Sequence, residues 1–495
     1  MLYFRMTLTM LVSLYTSRVV LNTLGIEDFG IYNVVGGVVV MFGFFNSAMS
    51  SATQRFLSFE IGRNNLIQLR STFNAALIVH ISIAILVVIL AETIGLWFVN
   101  RYLNIAAERM EAARWVYQFS ILSFVISIIQ VPYNAAIIAH ERMNIYAYVS
   151  ILEVTLRLLV VLMLTWISFD KLKLYAILIC VVTLVIAIIY CLYSLRHFNE
   201  TKFVFVRDKK LYKTLVSYSG WNLFGNIAGV AKGQGINILF NIFFGAIVNA
   251  AQGIAYQVQA ATQSFVNNFQ MAMNPQIIKS YASRENEYLN QLIIRGSKFS
   301  FYLLLIISIP IIVEVDFILE LWLNTVPKYA STFTVLILII SLIDCISGPL
   351  MTAIQATGNI KAYQAIVGTL LILILPISYI FFKFNFPPET ALFINIIIAT
   401  IALFIRLFFM NRYLNFSIIL FLKEVVLRNL IIGIFTFTPV LLVHKIIEVV
   451  YIRLPIVLAL TIIVGSVVIY LIGLNRMERE FIKTHLTKFI YRKNG

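Results

Sequence analysis

Apolar runs of about twenty residues alternate with short polar or basic stretches from one end of the chain to the other. An α-helix rising about 1.5 Å per residue needs about twenty apolar residues to cross the hydrocarbon of a bilayer. Fourteen windows reach that length, near residues 4–24, 31–52, 73–95, 115–138, 145–166, 173–194, 214–242, 248–271, 296–318, 330–355, 362–383, 390–411, 424–446 and 453–474. The first window has no small-x-small cleavage site after it, and LNTLGIED leads straight into the second, so it is read as a retained span. The pattern predicts an all-α polytopic membrane protein.

Composition strengthens that reading and charge orients it. The 495 residues are 61% hydrophobic and only 12% charged, with a mean hydropathy of +0.91, values no soluble domain of this size sustains. Cys180, Cys191 and Cys345 all lie in apolar runs and offer neither a disulfide framework nor a metal site. With a cytoplasmic N-terminus, 25 of the 38 Lys and Arg fall in inside loops and the tail, nine fall outside and four lie within spans. Both termini are therefore expected in the cytoplasm. The formal charge of +16 expresses this bias and attraction to anionic membrane lipids, and implies no nucleic acid.

The longest inside loop, RHFNETKFVFVRDKKLYK from Arg196 to Lys213, divides the chain after six spans. The halves repeat. LNTLGIEDFGIY (Leu21 to Tyr32) matches FNIFFGAIVNAAQGIAY (Phe240 to Tyr256), and ATQRFLSF (from Ala52) matches NPQIIKSY (from Asn274), pairing Gln54 with Gln276. NIYAY (from Asn144) matches NIKAY (from Asn359), each following a proline, Pro132 or Pro349. Six spans per repeat is an even number, so the halves share topology, about a pseudo-two-fold axis along the membrane normal. The expected domains are an N-terminal six-helix bundle (1–195), a cytoplasmic linker (196–213) and a C-terminal six-helix bundle (214–412). Two additional transmembrane helices (413–475) and a basic cytoplasmic tail (476–495) follow.

Charges inside spans are the candidate chemistry. Arg18 stands roughly 20 Å above Arg5 and roughly 14 Å below Glu27 along its helix, well inside a core of about 30 Å. A charge at that depth is tolerated only against protein or water, which leaves a cavity role or a packing lock made with carbonyls. Arg157 lies near the centre of span five, one turn after Glu153, as a site or as a structural pair. Lys232 lies in span seven, whose glycines at 220, 225, 229, 233 and 235 predict a bent or broken helix. Asp344 in span ten is read either as a binder of a coupling proton or sodium or as the counter-charge of Lys232.

Span eight carries a polar stripe. Asn249, Gln252, Tyr256, Gln259, Gln263, Asn267, Gln270 and Asn274 follow at steps of three or four, which places them on one helix face. The stripe reads as interhelical amide bonding or as the wet wall of a cavity, where amides and a tyrosine hydrogen-bond sugar hydroxyls. Mid-membrane cations beside such a wall suit a large ligand with an anionic head and many hydroxyls, and Arg matches phosphate through its two-pronged fork.

TSRVVLNTLGIEDFGIYNVVGGVV (from Thr16), SATQRFLSFEIG (from Ser51), GWNLFGNIA (from Gly220) and MNPQIIKSYA (from Met273) also resemble a known family. They are similar to the Wzx-type O-antigen and polysaccharide flippases of the multidrug/oligosaccharidyl-lipid/polysaccharide exporter superfamily. The resemblance spans the first twelve helices and implies two bundles that pass undecaprenyl-pyrophosphate-linked oligosaccharide from the cytoplasmic to the periplasmic leaflet of a bacterial inner membrane. By position it implies that Arg18, Arg55, Lys232 and Asp28 stand for functional residues of related carriers, although Lys232 replaces an Arg. Arg55 lies at the cytoplasmic end of span two, where the positive-inside bias also explains it. A cation-coupled multidrug or metabolite antiporter shares the fold, but its cationic drugs need more carboxylates than these spans hold. A glycan polymerase or ligase needs a large outside loop, and the longest here is about Leu96 to Arg114. The five histidines are scattered and no phosphate-binding Gly-rich loop is present, so neither an enzyme nor an ATP-driven pump is expected, and no cofactor.

Overall fold

The computed structural model describes residues 12, 16, 19–20, 23–25, 28, 31–32, 35–36, 39, 43–102, 105, 107–166, 169–323 and 326–480. The described residues are helical almost throughout. They form α1 (Gly43–Gly62), α2 (Leu66–Leu90), α3 (Met110–Ala139), α4 (Met143–Trp166), α5 (Lys171–His197), α6 (Lys209–Phe244) and α7 (Ala246–Ala282). There follow α8 (Asn286–Val313), α9 (Ala330–Ala356), α10 (Lys361–Lys383), α11 (Glu389–Leu414), α12 (Arg428–Ile446) and α13 (Val450–Val468). A π-turn at Ala91–Gly95 carries α2 on into Leu96–Tyr102. Ten helices among the described residues are long and apolar enough to cross a membrane, and α7, with its amide stripe, is not among them. The protein is a multi-pass, all-α membrane protein.

Local chemistry sets where helices begin. The Asn65 side chain accepts the Gln68 amide at 3.0 Å ahead of α2, and Asp170 accepts the amides of Leu172 and Lys173 at 3.0 and 3.2 Å ahead of α5. Prolines inside α3, α7, α8, α9, α10, α12 and α13 are accommodated as membrane helices allow. In α6 the expected break is absent: its 36 residues form one continuous helix, roughly 54 Å long. Its glycines act on neighbours instead. A Cβ at Gly235 would stand 2.5 Å from Leu375, one at Gly225 would meet the Gln364 amide, and Gly229 and Gly233 face open space.

The sequence repeat is a backbone repeat. Left-handed residues occur in pairs 220, 220 and 217 positions apart: Gly25 with Gly245, Asn64 with Arg284, and Glu141 with Gly358. A turn that demands positive φ is a strong register mark because few residues adopt it cheaply. Between these marks α3 packs on α2 and α5 as α9 packs on α8 and α11. The interior prolines Pro132 and Pro349 take matching places in α3 and α9.

Two compact units result. The first comprises Met1–Ile227, Asn274–Glu285 and Gly358–Ala365, so the linker lies wholly within it together with the first half of α6, the end of α7 and the start of α10. Its core includes Phe73, Ile137, Val160 and Tyr190. Gly62 at the end of α1 lies so close to α7 that a Cβ would stand 2.7 Å from the Lys279 backbone, and Lys279 pairs with Glu141 at 2.7 Å. Asn74 of α2 fastens the linker, donating to the carbonyl of Lys202 at 3.3 Å and accepting the Val204 amide at 3.0 Å.

The second unit comprises Ala228–Met273, Asn286–Thr357 and Ile366–Gly495, with a core around Phe240, Phe333, Ile374 and Leu392. The two helices beyond the repeat, α12 and α13, pack on α8 and are clamped at both ends. At one end Glu314 accepts Arg453 Nε and Nη2, both at 2.7 Å, and contacts His444 at 2.9 Å. At the other, Lys298 Nζ donates to Gly473 O at 3.0 Å and to Glu478 at 3.1 Å, both charged side chains being buried.

Candidate functional site

In each unit a cavity receives a basic residue from within a spanning helix. In the second unit a cavity of about 410 Å³ opens beside the gap left by Gly229 and Gly233 and receives Lys232, Tyr256, Gln259, Asp344, Asn395 and Arg406. Four helices therefore deliver polar groups into one space: α6, α7, α9 and α11 with their single lysine, two amides, one acid and one arginine. Gln259 Nε2 donates to Ser341 Oγ at 2.8 Å, and Arg406 Nη1 donates to Ser347 Oγ at 3.1 Å. These bonds fix the orientation of both groups at the wall. The buried Asn395 Oδ1 has no protein donor among the described residues. By formal charge, two cations stand against one acid in this cavity, in a setting where charge interactions are screened far less than in water.

The first unit holds a cavity of about 380 Å³ lined by Tyr32, Ser120, Ser123, Ser127, Arg157 and Thr183. Arg157 donates to Glu153 from Nε at 3.2 Å and from Nη2 at 2.7 Å, the i,i+4 pairing expected from its helix, and half of its side chain stays exposed. The Tyr32 and Tyr175 rings pack at 4.8 Å beside it. The result is an arginine with hydroxyl groups on facing helices, which can bind oxyanions and hydroxyls. Arg18 lies outside the described residues.

The profile of the polysaccharide biosynthesis protein family matches residues 2–281, more than half of the chain. The chain belongs to the polysaccharide biosynthesis protein family. No curated protein matches it. Among solved structures, an outward-facing multidrug resistance MATE family transporter of the MOP superfamily superposes with a TM-score of 0.72 at 14% identity. That match covers 83% of this chain and 94% of the transporter. A MATE transporter in complex with MaL6 gives 0.69 at 13% identity, over 83% and 95%. A MOP superfamily transporter from Pyrococcus furiosus, whose title states that reverse polarity of its binding pocket suggests a different function, gives 0.69 at 14% identity, over 84% and 96%. The family member described here thus has the fold of MOP superfamily transporters.

The remaining candidate residues of this polysaccharide biosynthesis family protein are distributed more widely. Arg55 lines neither of these cavities: it is buried, with its guanidinium 4.6 Å and 4.7 Å from the Phe56 and Phe59 ring centres and 5.6 Å from that of Tyr218. Asp28 pairs with Arg109, which also bonds Asp170 at 2.8 Å, so one guanidinium ties the approaches to α3 and α5 to the segment after the first window. Of the polar stripe, Tyr256 and Gln259 reach the cavity. Asn249 donates to the Asn237 carbonyl at 2.7 Å, and the buried Gln252 donates to Tyr256 OH at 3.4 Å. Gln270 bonds Ser300 Oγ and the Cys345 carbonyl, both at 2.9 Å, which is packing between helices. Gln263 is partly buried and Asn267 is exposed. Sequence reasoning passed over Arg406, Asn395 and the serines of α3; the charge of Arg406 within an apolar span was the one available signal.

Proposed function

We propose that this protein is a flippase that carries undecaprenyl-pyrophosphate-linked oligosaccharide from the cytoplasmic to the periplasmic leaflet of a bacterial inner membrane by alternating access, with both termini cytoplasmic. It is a transporter and not an enzyme. The observation that carries the reading is the net positive cavity of the second unit, where Lys232 and Arg406 share a wall with Gln259 and Tyr256. A diphosphate headgroup supplies the missing negative charge, and the amide and phenol supply the hydrogen bonds that sugar hydroxyls use. In the first unit Arg157, at its own cavity, and Arg18 are further cations for the headgroup, whereas Arg55 is enclosed by aromatic rings. Gln252, Gln263, Asn249 and Asn267 extend the glycan-contacting wall, whereas Gln270 is held by Ser300 and the Cys345 carbonyl. The organic cations of a multidrug antiporter fit such a cavity poorly. Asp344, Glu153 and Asp28 are the acids that counter these charges or take up the coupling proton or sodium.

The test is complementation of a strain lacking its own polysaccharide flippase, scored as surface polymer per unit of membrane-inserted protein. Arg18→Ala and Lys232→Ala should abolish delivery and Arg18→Lys should retain part of it, because a point charge replaces the bidentate fork. Full delivery by Lys232→Ala at normal expression would refute the assignment.

A further inference from the structure

Outside these two cavities the first unit holds a recess where two spanning helices end, at the start of α2 and the end of α5. It has a volume of about 570 Å³ and is lined by Arg70, His140 and His197 together with Leu66, Ile67 and Val204. Its floor is built and fixed. Asn74 holds the linker from below, Thr201 Oγ1 donates to the carbonyls of Phe198 and Ser194 at 2.8 and 3.0 Å, and His140 sits 2.5 Å from Glu200 with its ring stacked on Phe198. That contact engages the one acid lining the recess. Arg70 and His197 remain exposed there, and Lys202 follows on the same strap.

The rim is apolar where water would ordinarily demand polar groups. Leu66 is 75% exposed and Ile67 83% on the first turn of α2, while Phe203 and Phe205 are 62% and 65% exposed on the non-helical strap. Leu66, Ile67 and Val204 line the recess beside its basic groups at the level where spanning helices end, and Phe203 and Phe205 expose two more large apolar side chains on the adjoining strap, a combination that matches the headgroup and acyl boundary of a bilayer. A soluble anion would use the cations and leave the rim in water; an apolar partner would use the rim and leave the cations uncompensated.

We infer that this recess is a binding site for an anionic phospholipid, with the phosphate on Arg70 and His197, the acyl chains lying along Leu66, Ile67 and Val204, and the exposed Phe203 and Phe205 of the strap entering the same bilayer. The linker is therefore a membrane-seated strap. Electrostatic attraction to anionic lipid and insertion of aromatic side chains act on the same few residues.

Native mass spectrometry of the purified full chain, titrated with phosphatidylglycerol or phosphatidylcholine, tests the assignment. The wild type should retain phosphatidylglycerol at least fivefold more strongly than phosphatidylcholine. Arg70→Gln/His197→Gln should lose that preference while keeping the wild-type melting temperature. Independently, the fluorescence of Phe205→Trp should be quenched by brominated phosphatidylglycerol in vesicles, beyond the quenching of the native tryptophans. Unchanged phosphatidylglycerol retention in the double variant, equal retention of the two lipids by the wild type, displacement of the lipid by inorganic pyrophosphate, or quenching of Phe205→Trp no greater than that of the wild type would each overturn it.

Discussion

The glycines of α6 allow a sharp test, because one helix contains both kinds of environment. Gly229 and Gly233 line the cavity and a Cβ there meets nothing within 4 Å, whereas a Cβ at Gly235 would stand 2.5 and 2.6 Å from the two Leu375 methyl carbons. In a helix interior, alanine is favoured over glycine by about 1 kcal/mol through the smaller loss of backbone freedom. Gly229→Ala and Gly233→Ala should each gain about that amount, or about 2–4 °C of melting temperature for a unit of about 250 residues. Gly235→Ala gains the same backbone term but must displace Leu375, and overpacking costs about 1–3 kcal/mol. It should therefore melt below Gly233→Ala by about that margin. Melting is followed by intrinsic fluorescence in detergent and polymer delivery in the complementation assay. Gly233→Leu should remain folded and lose delivery, since its side chain enters the cavity. If Gly233→Ala is destabilised while Gly235→Ala is neutral, the glycines serve a bend and not the cavity.

Three further outcomes are expected. Lys298→Met should destabilise, but by less than the about 3–5 kcal/mol of a fully broken buried pair, because Glu478 keeps Arg295 at 3.3 Å and the Asn475 amide at 2.8 Å, and Lys298→Met/Glu478→Leu should recover part of the loss in the same melting assay. Burial pushes the Asp170 carboxyl up, but Arg109 and the amides of Lys173 and Leu172 more than offset this and hold it below the usual carboxylate range. Its contribution is complete above the unfolded value of about 3.9 and is lost as pH falls through the lower folded value. Melting should be flat from neutral pH to about pH 5, then drop, with a smaller drop in Asp170→Asn. Cysteines placed in the Arg196 to Lys213 linker should react only with reagents supplied from the cytoplasm and those near Arg109 only with external ones; the reverse would invert the topology and the transport direction.

What could be read from sequence divides along a physical line. Apolar length and turn chemistry act locally, so the spans and the repeat were legible, and the paired left-handed turns at Gly25 and Gly245 fall where the matched segments place them. Which neighbour a side chain meets is not local. Arg18, Arg55 and Arg157 look alike as cations in or near apolar windows, yet Arg55 is enclosed by aromatic rings and Arg157 lines a cavity. The amide stripe of α7 shows the same limit along one helix. Spacing at three and four residues correctly puts its members on one face, but a helix of 37 residues, roughly 56 Å, meets different partners along its length. Gln259 reaches the charged cavity and Gln270, three turns further on, is spent on Ser300 and the Cys345 carbonyl. The stripe is therefore two devices in series, and the part around Tyr256 and Gln259 is the one that shares a cavity with Lys232 and Arg406. On that reasoning Gln259→Leu should cost delivery without loss of folding, whereas Gln270→Leu, which strips two interhelical bonds of about 1 kcal/mol each, should lower the melting temperature first. Equal effects of the two substitutions on delivery, with neither altering melting, would return the whole stripe to a single sugar-facing wall.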